Sequence, residues 1–395
     1  MPSKSTLWAQ HDKAWRHPGQ VMAQWPSAEQ LNPKLLQYVV DGDWWQAVAK
    51  SRSTFLISRE YEHLAMAMTI LRGAPHVSTM AIPHPSGIAV DRKRGIVYIA
   101  STRNPNQIFE LSAVHSLRHR ADIPTEPLRD SPLIPLRTQF LPGCLYIHDL
   151  AVIGGKLHAA AAGLNAIVSI EHDGSFQRVW SPRSLAKKGS AAFLQNYLQL
   201  NSIAAGRTVK DSCFSASAEF AMSLRPGHPE FPVDRQGVIF SGKTRQVIAR
   251  GLTRPHSARW HRGKLWVNNS GYGEVGIAEN GRFRPVMRFT GWTRGLCFVG
   301  DIAFVGVSRV LPRFRAYAPG LAVDKSHCGI YALNTKTGNV IGSIRWPYGN
   351  QIFAIEAASR AMTSGFAFAS KKGSGMSLRS NLFYAFSRSS KGVSL

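Results

Sequence analysis

An all-β fold, a six-bladed β-propeller, is what the sequence predicts, and three observations predict it. A seven-residue pattern recurs six times: a turn residue, a variable residue, then a short apolar run. Its second positions fall at 86, 148, 201, 256, 294 and 353, so the spacings are 62, 53, 55, 38 and 59 residues, around the length of a four-stranded blade with loops. Each copy is followed by β-branched and aromatic runs cut by Gly, Asn and Asp, which read as strand–turn–strand. Two β-sandwich domains would give no reason for a six-fold repeat of one strand.

Taken in order, residues 1–54 differ from the rest. LNPKLLQYVVDGDWWQAVAK spaces its apolar residues as a helix does and lacks strand punctuation, so a helical N-terminal extension packed on the propeller is expected. Trp25 and the Trp44-Trp45 pair read as its staples. FLISREYEHLAMAM, residues 55–68, reads as one strand. The propeller is expected over 55–358. Its six inner strands begin at Pro85, Ile147, Leu200, Pro255, Thr293 and Ile352. Residues 55–68 precede the first inner strand and Ile352 starts the last, so one blade is expected to combine both ends of the chain and close the ring. Residues 359–395 are rich in Ser and Gly. From Arg360 onward they carry six basic residues and no acid, and read as a flexible basic tail, with a strand or a membrane-touching segment in FAF or NLFYAF as the lesser alternative.

The composition narrows the function classes. Hydrophobic residues make up 44% and charged residues 18%, which suits a packed core and excludes wholesale disorder. The formal charge of +25 favours anionic partners. Nucleic acid is not expected, because no module with interleaved aromatic and basic residues is present. No run is long and apolar enough for a membrane helix. The first residues lack the apolar core of a secretory signal, so a cytoplasmic protein is expected. Four cysteines, Cys144, Cys213, Cys297 and Cys328, form no CxxC or zinc spacing and read as reduced, buried residues. No GxSxG elbow, HExxH, Walker A or EF-hand loop occurs, and Gly271-Tyr-Gly-Glu reads as a turn. His84 and His158 read as packing or surface residues.

Several stretches carry a resemblance. Gly251-Leu-Thr-Arg-Pro-His-Ser-Ala-Arg-Trp-His261, Gly263-Lys-Leu-Trp-Val, Asn269-Ser-Gly-Tyr-Gly-Glu274 and Trp292-Thr-Arg-Gly-Leu-Cys-Phe298 resemble an uncharacterised bacterial propeller family, a domain of unknown function. The resemblance runs from about Ser58 to Glu356. It implies a propeller and a bacterial origin, and no activity. More distantly the blade pattern is similar to NHL repeats and to gluconolactonase and regucalcin propellers.

In a propeller the second-position residues converge on one funnel. Here they are Ser86, His148, Asn201, His256, Arg294 and Phe353, four of them strongly polar, with Asp149, Ser202 and Ser257 beside them. Loops after the second strands add a rim: Asn104, Asn269, Tyr272, Glu274 and Arg309. Glu356 either closes the ring from the last blade or pairs with a nearby arginine. Two long loops, 215–236 with Arg225, His228, Asp234 and Arg235, and 309–327 with Arg313, Arg315 and Tyr317, are candidate lids. Three readings compete. A small anionic or glycan-like ligand would suit the forked donors of Arg294, with His148, His256 and Asn201 donating beside it. A divalent metal on the two histidines with Asp149 or Glu274 is not favoured beside an arginine. Alternatively, the ring satisfies itself around a channel and the protein is an interaction scaffold. No acid stands at a second position, a departure from the carboxylate-rich lactonase set. An enzyme of lyase, epimerase or hydrolase type would use His148 or His256 as base and Arg294 as anion stabiliser.

Overall fold

A computed structural model describes residues 3, 6, 32–103, 106–117, 130–367 and 386–387. Six antiparallel sheets, each built on four strands, follow one another in chain order, and their inner strands pack side by side around a central axis. The inner strands are Pro85–Asp91, Ile147–Ile153, Leu200–Ala204, Pro255–His261, Trp292–Val299 and Ala354–Ser359, which open blades 1 to 6 in turn.

Blade 6 is composite. Its inner strand Ala354–Ser359 pairs with Ser53–Arg59, and Leu64–Leu71 and Ala74–Ala81 complete the sheet from the other end of the chain. Phe55 pairs with Ala357 and Leu56 with Glu356 across that joint. Residues 55–68 are therefore two strands, not one. A short 3₁₀ turn, Glu60–Glu62, breaks them, ended by His63 at φ 51°.

Within residues 32–54, the N-terminal segment forms an α-helix over Trp44–Ser51 and a 3₁₀ turn over Pro33–Leu36. Val39–Gly42, expected to be helical, instead adds a fifth strand to the outer edge of blade 5 by pairing with Val340–Trp346. The sequence there is VVDG: two β-branched residues before a glycine at φ 60°, which suits an edge strand ending in a turn. Trp44 is fully buried and meets Phe304 of blade 5 edge-on at 5.8 Å, while Phe55 of blade 6 lies 4.1 Å from the same ring. The helix thus wedges the joint between blades 5 and 6. Trp25 lies outside the described residues.

The far side of blade 6 is wedged too. Gly365–Phe366 runs parallel to the outer strand of blade 1, Pro132–Leu141. Phe366 is buried, its N–H donates to Ser78 Oγ, and Thr54 Oγ1 donates to the Thr363 carbonyl. Phe386–Ser387 pairs with Ser116–Leu117. Strand is thus present at the first residue of FAF and the last of NLFYAF, and the other residues of NLFYAF lie outside the described residues. Lys371, Lys372, Arg379, Arg388 and Lys391 lie outside the described residues.

Blade packing is close. A Cβ on Gly87 would sit 2.6 Å from the Asp149 Cα, so only glycine lets blade 1 approach blade 2 there. No helix among the described residues is long and apolar enough to cross a membrane. All four cysteines are free: Cys213, Cys297 and Cys328 are buried as expected, while Cys144 is exposed, because it sits in the connection between blades 1 and 2.

Candidate functional site

Local backbone irregularity aims the site. In blades 1 to 5 the pairing between the first two strands slips at the second position of the repeat, as at Pro85/Ile88, Ile147/Asp149 and His256/Arg259. A bulge bends the strand and re-aims a side chain. Just before the repeat, His84, Tyr146, Gln199 and Arg254 all adopt positive φ, between 44° and 52°. This is the left-handed region that non-glycine residues seldom enter. Together, kink and bulge turn the residue before the repeat, and its second residue, toward one mouth.

That mouth is a cavity of about 290 Å³. Its floor carries His148, His256, Arg294 and Phe353 from the ring of second positions. The residues before the repeat add Tyr146, Gln199, Arg254, Trp292 and Gln351. The loops after second strands add Glu60 and Tyr61 from blade 6, Thr102 and Arg103 from blade 1, Arg225–Gly227 from blade 3, and Arg309, Val310, Arg313, Phe314 and Tyr317 from blade 5. Both long loops therefore contribute wall, through Arg225, Arg313 and Tyr317, whereas His228, Asp234, Arg235 and Arg315 stand away from it.

The ring divides into stitches and facing groups. Ser86 Oγ donates to the Ala100 and Ile147 carbonyls, the latter in the next blade. Asn201 Nδ2 donates to Ser217 Oγ and to the Pro255 carbonyl at 2.9 Å. Ser202 Oγ accepts from the Ala258 N–H, and Ser257 Oγ from the Gly295 N–H. These four tie blade to blade. Asp149 also leaves the cavity wall. Its carboxylate accepts from the Ile203 N–H and pairs with Arg259 at 2.8 Å, and Arg259 bridges on to Glu356 at 3.0 Å. Blades 2, 4 and 6 thus meet in one partly buried ion triad, and burial raises the Glu356 carboxyl against the pull of Arg259. Glu356 pairs with an arginine, one of the two roles expected for it.

The expected rim of blade 4 is inward bonding of the turn itself. Asn269 donates to Glu274 and accepts the Thr253 N–H, and the Tyr272 hydroxyl donates to Asp234. None of the three lines the cavity. Arg309 does line it, but its guanidinium donates to the Gly349 and Pro347 carbonyls. Asn104 lies outside the described residues.

The facing groups have unusual electrostatics. Burial, followed by the charges of Arg294 and Arg254, pushes both His148 and His256 well below the ordinary imidazole range. Both are therefore neutral near pH 7. His256 Nδ1 lies 2.8 Å from the Arg254 carbonyl and 3.0 Å from Ser270 Oγ, whose own proton goes to the Thr293 carbonyl. A carbonyl can only accept, so Nδ1 carries the hydrogen and Nε2 keeps a bare lone pair. His148 sits edge-on between Tyr146 and Phe353, at 4.6 and 5.9 Å, and neither ring nitrogen closes a hydrogen bond; Asn201 is the neighbour that leans on it. Arg294 lies with its guanidinium 3.2 Å over the Phe353 ring, and its Nη2 has no hydrogen-bond partner. Arg254 stacks at 4.6 Å on Tyr317 and donates to Gln199, and burial brings it down to about 10. Glu60 is the one carboxylate on the described wall. It accepts from Thr102 and pairs with Arg103 at 3.8 Å. No group of three or more His, Cys, Asp or Glu side chains suited to a metal occurs among the described residues.

Arg254, Tyr146 and Gln199 were missed by a reading that tracked second positions. A signal for them exists: they occupy a shared register two residues before the second position, and it varies as freely as the second. Tyr61 and Glu60 carry no repeat signal, because blade 6 draws them from the opposite end of the chain.

The family model described as a domain of unknown function, DUF4915, matches residues 42–364. No curated protein matches the sequence. Among solved structures, the chain is similar to one in a nidogen/laminin complex, with a TM-score of 0.51, 11% identity, and 78% of this chain and 98% of that chain covered. It is similar to a gluconolactonase from Xanthomonas campestris, with a TM-score of 0.42, 14% identity, and 67% and 77% covered. For a virginiamycin B lyase from Staphylococcus aureus the TM-score is 0.38, the identity 13%, and the coverage 73% and 76%. At such identities the likeness concerns the fold.

Proposed function

The chain belongs to the DUF4915 family, a domain of unknown function, and from that premise we propose that this propeller binds a small anionic or glycan-like ligand in the cavity at its loop-rich mouth. One observation carries the reading: Arg294 is buried, fixed on the Phe353 ring, and has a donor with no partner. A guanidinium removed from water without a counter-charge costs several kcal/mol, and an anion in the cavity would offset that cost. The aromatic wall of Tyr61, Tyr146, Trp292 and Tyr317 suits the flat face of a ring or sugar attached to the anion. The alternative of an interaction scaffold requires a ring that satisfies itself. Ser86 does so, but Arg294, His148 and the Oδ1 of Asn201 do not.

Thermal shift against a panel of carboxylates, phosphates, sulfates and acidic sugars tests the reading, in wild type and Arg294→Gln. A ligand at a hundred times its Kd stabilises by about 2.7 kcal/mol, which is readily seen as a higher Tm. The shift is expected in wild type and lost in the variant. A panel that moves neither protein would remove the anion site and leave the scaffold.

The fixed tautomer of His256 favours turnover as a second reading, with Nε2 as the base and Arg294 stabilising the resulting anion. With a ligand from the panel bound, its carbon-bound protons would exchange with D₂O by NMR in wild type and not in His256→Gln. Equal exchange in both would take His256 out of the role.

A further inference from the structure

Four arginines inside the propeller, Arg59, Arg259, Arg254 and Arg294, fall into two pairs. Arg59, fully buried, pairs with Glu62 at 3.0 Å and donates to the Leu35 carbonyl. Arg259 lies between Asp149 and Glu356. Arg254 and Arg294, each at least nine-tenths buried, have no carboxylate within ion-pair distance among the described residues. Arg254 Nε and Arg294 Nη2 both lack a hydrogen-bond partner. Glu60 is committed to Thr102 and Arg103, and attracts Arg294 only from beyond contact distance. So Arg59 and Arg259 carry their counter-charges, whereas Arg254 and Arg294, in this cavity, do not.

The two unmatched charges are neighbours. Arg254 stands one residue before the inner strand of blade 4, and Arg294 near the start of the inner strand of blade 5, which packs against it. Each guanidinium lies over an aromatic ring, Arg254 over Tyr317 at 4.6 Å and Arg294 over Phe353 at 3.2 Å, which limits where their forks can point. His148 and His256, between which they act, are neutral and add no third charge.

We propose that the cavity takes a ligand carrying two negative charges on one group, a phosphate monoester of a small ring-bearing molecule, clamped between Arg254 and Arg294. The inference rests on the anion reading above and specifies it. A monoanion would match one guanidinium and leave the other unpaired. A phosphoryl group brings nearly two charges above its second pKa of about 6, with three acceptor oxygens for two forks. The aromatic side chains of Tyr61, Tyr146 and Trp292 provide the surface for the ring.

Isothermal titration of the full chain in phosphate-free buffer tests this, with phenyl phosphate as the dianion and benzenesulfonate as a monoanion of the same ring and a similar head. At pH 8, phenyl phosphate is expected to bind at least tenfold more tightly. The ratio should collapse toward one at pH 5, where phenyl phosphate is itself a monoanion. Arg254→Gln and Arg294→Gln should each reduce the phenyl phosphate affinity tenfold or more and narrow the preference over benzenesulfonate. Equal binding of the two probes at pH 8 would overturn the dianion inference and leave the anion site standing. Binding of neither by wild type would remove both. The wild-type pH comparison decides the matter even where a variant fails to fold.

Discussion

His148 and His256 are neutral because the cavity refuses them protons, and that refusal has a thermodynamic consequence. Their native pKa values lie below the ordinary imidazole value of 6.5, with burial as the main cause and Arg294 next. As pH falls through about 6.5, the unfolded chain takes up protons that the native state does not, so stability falls by about 1.4 kcal/mol per pH unit for each such histidine. The loss continues until pH reaches the depressed native values. Urea unfolding at pH 7.5 and 5.5 is expected to show a steeper loss in wild type than in a His148→Gln/His256→Gln protein; parallel losses would mean that the native imidazoles do protonate. These two residues and Arg294 were legible in the sequence because a fixed repeat register places them. Asn201 and Ser86 share that register and Ser257 follows it by one residue, yet their short side chains reach a neighbouring blade's backbone before they reach the cavity. Asp149 is drawn away by Arg259, at the fifth position of another copy, an interaction no spacing within one blade encodes.

At the scale of the element, the strands that close and flank blade 6 explain both what the sequence revealed and what it concealed. The composite blade was readable, because inner-strand copies at both ends leave one sheet to be shared. The edge strand Val39–Gly42 was not, because four residues are too few to show a period of two against a helical background. The helix that follows it is short, and an isolated helix of that length is marginal. Its place is set by packing: Trp44 is buried against Phe304 at the joint of two blades. Trp44→Ala is expected to cost about 3–5 kcal/mol, by lost burial and a cavity that the rigid strands beneath cannot fill. Chemical denaturation checks it, and a change below about 1 kcal/mol would mean that the helix does not wedge that joint.

The whole molecule is a ring held shut by one antiparallel seam, Ala354–Ser359 on Ser53–Arg59, with a terminal segment packed on each side of it. Deleting residues 354–395 is expected to abolish cooperative thermal unfolding, since the Ser53–Arg59 strand then has a bare edge. Deleting only 368–395 should lower Tm by no more than a few degrees, because the seam and the Gly365–Phe366 strand remain. Circular dichroism melts of the two truncations would separate them; similar cooperative melts would show that the ring holds without its seam. The same seam sets a clock on synthesis. Ser53–Arg59 emerges from the ribosome roughly 300 residues before Ser359, which at about 5–20 residues per second is an interval of roughly 15–60 s. Through that interval the nascent protein carries an apolar strand, Phe55, Leu56 and Ile57 among it, with one side unpaired. Neighbouring ribosomes on one message would then display the same bare strand side by side, so crowded translation is the moment at which this chain is most prone to pair with its own copies.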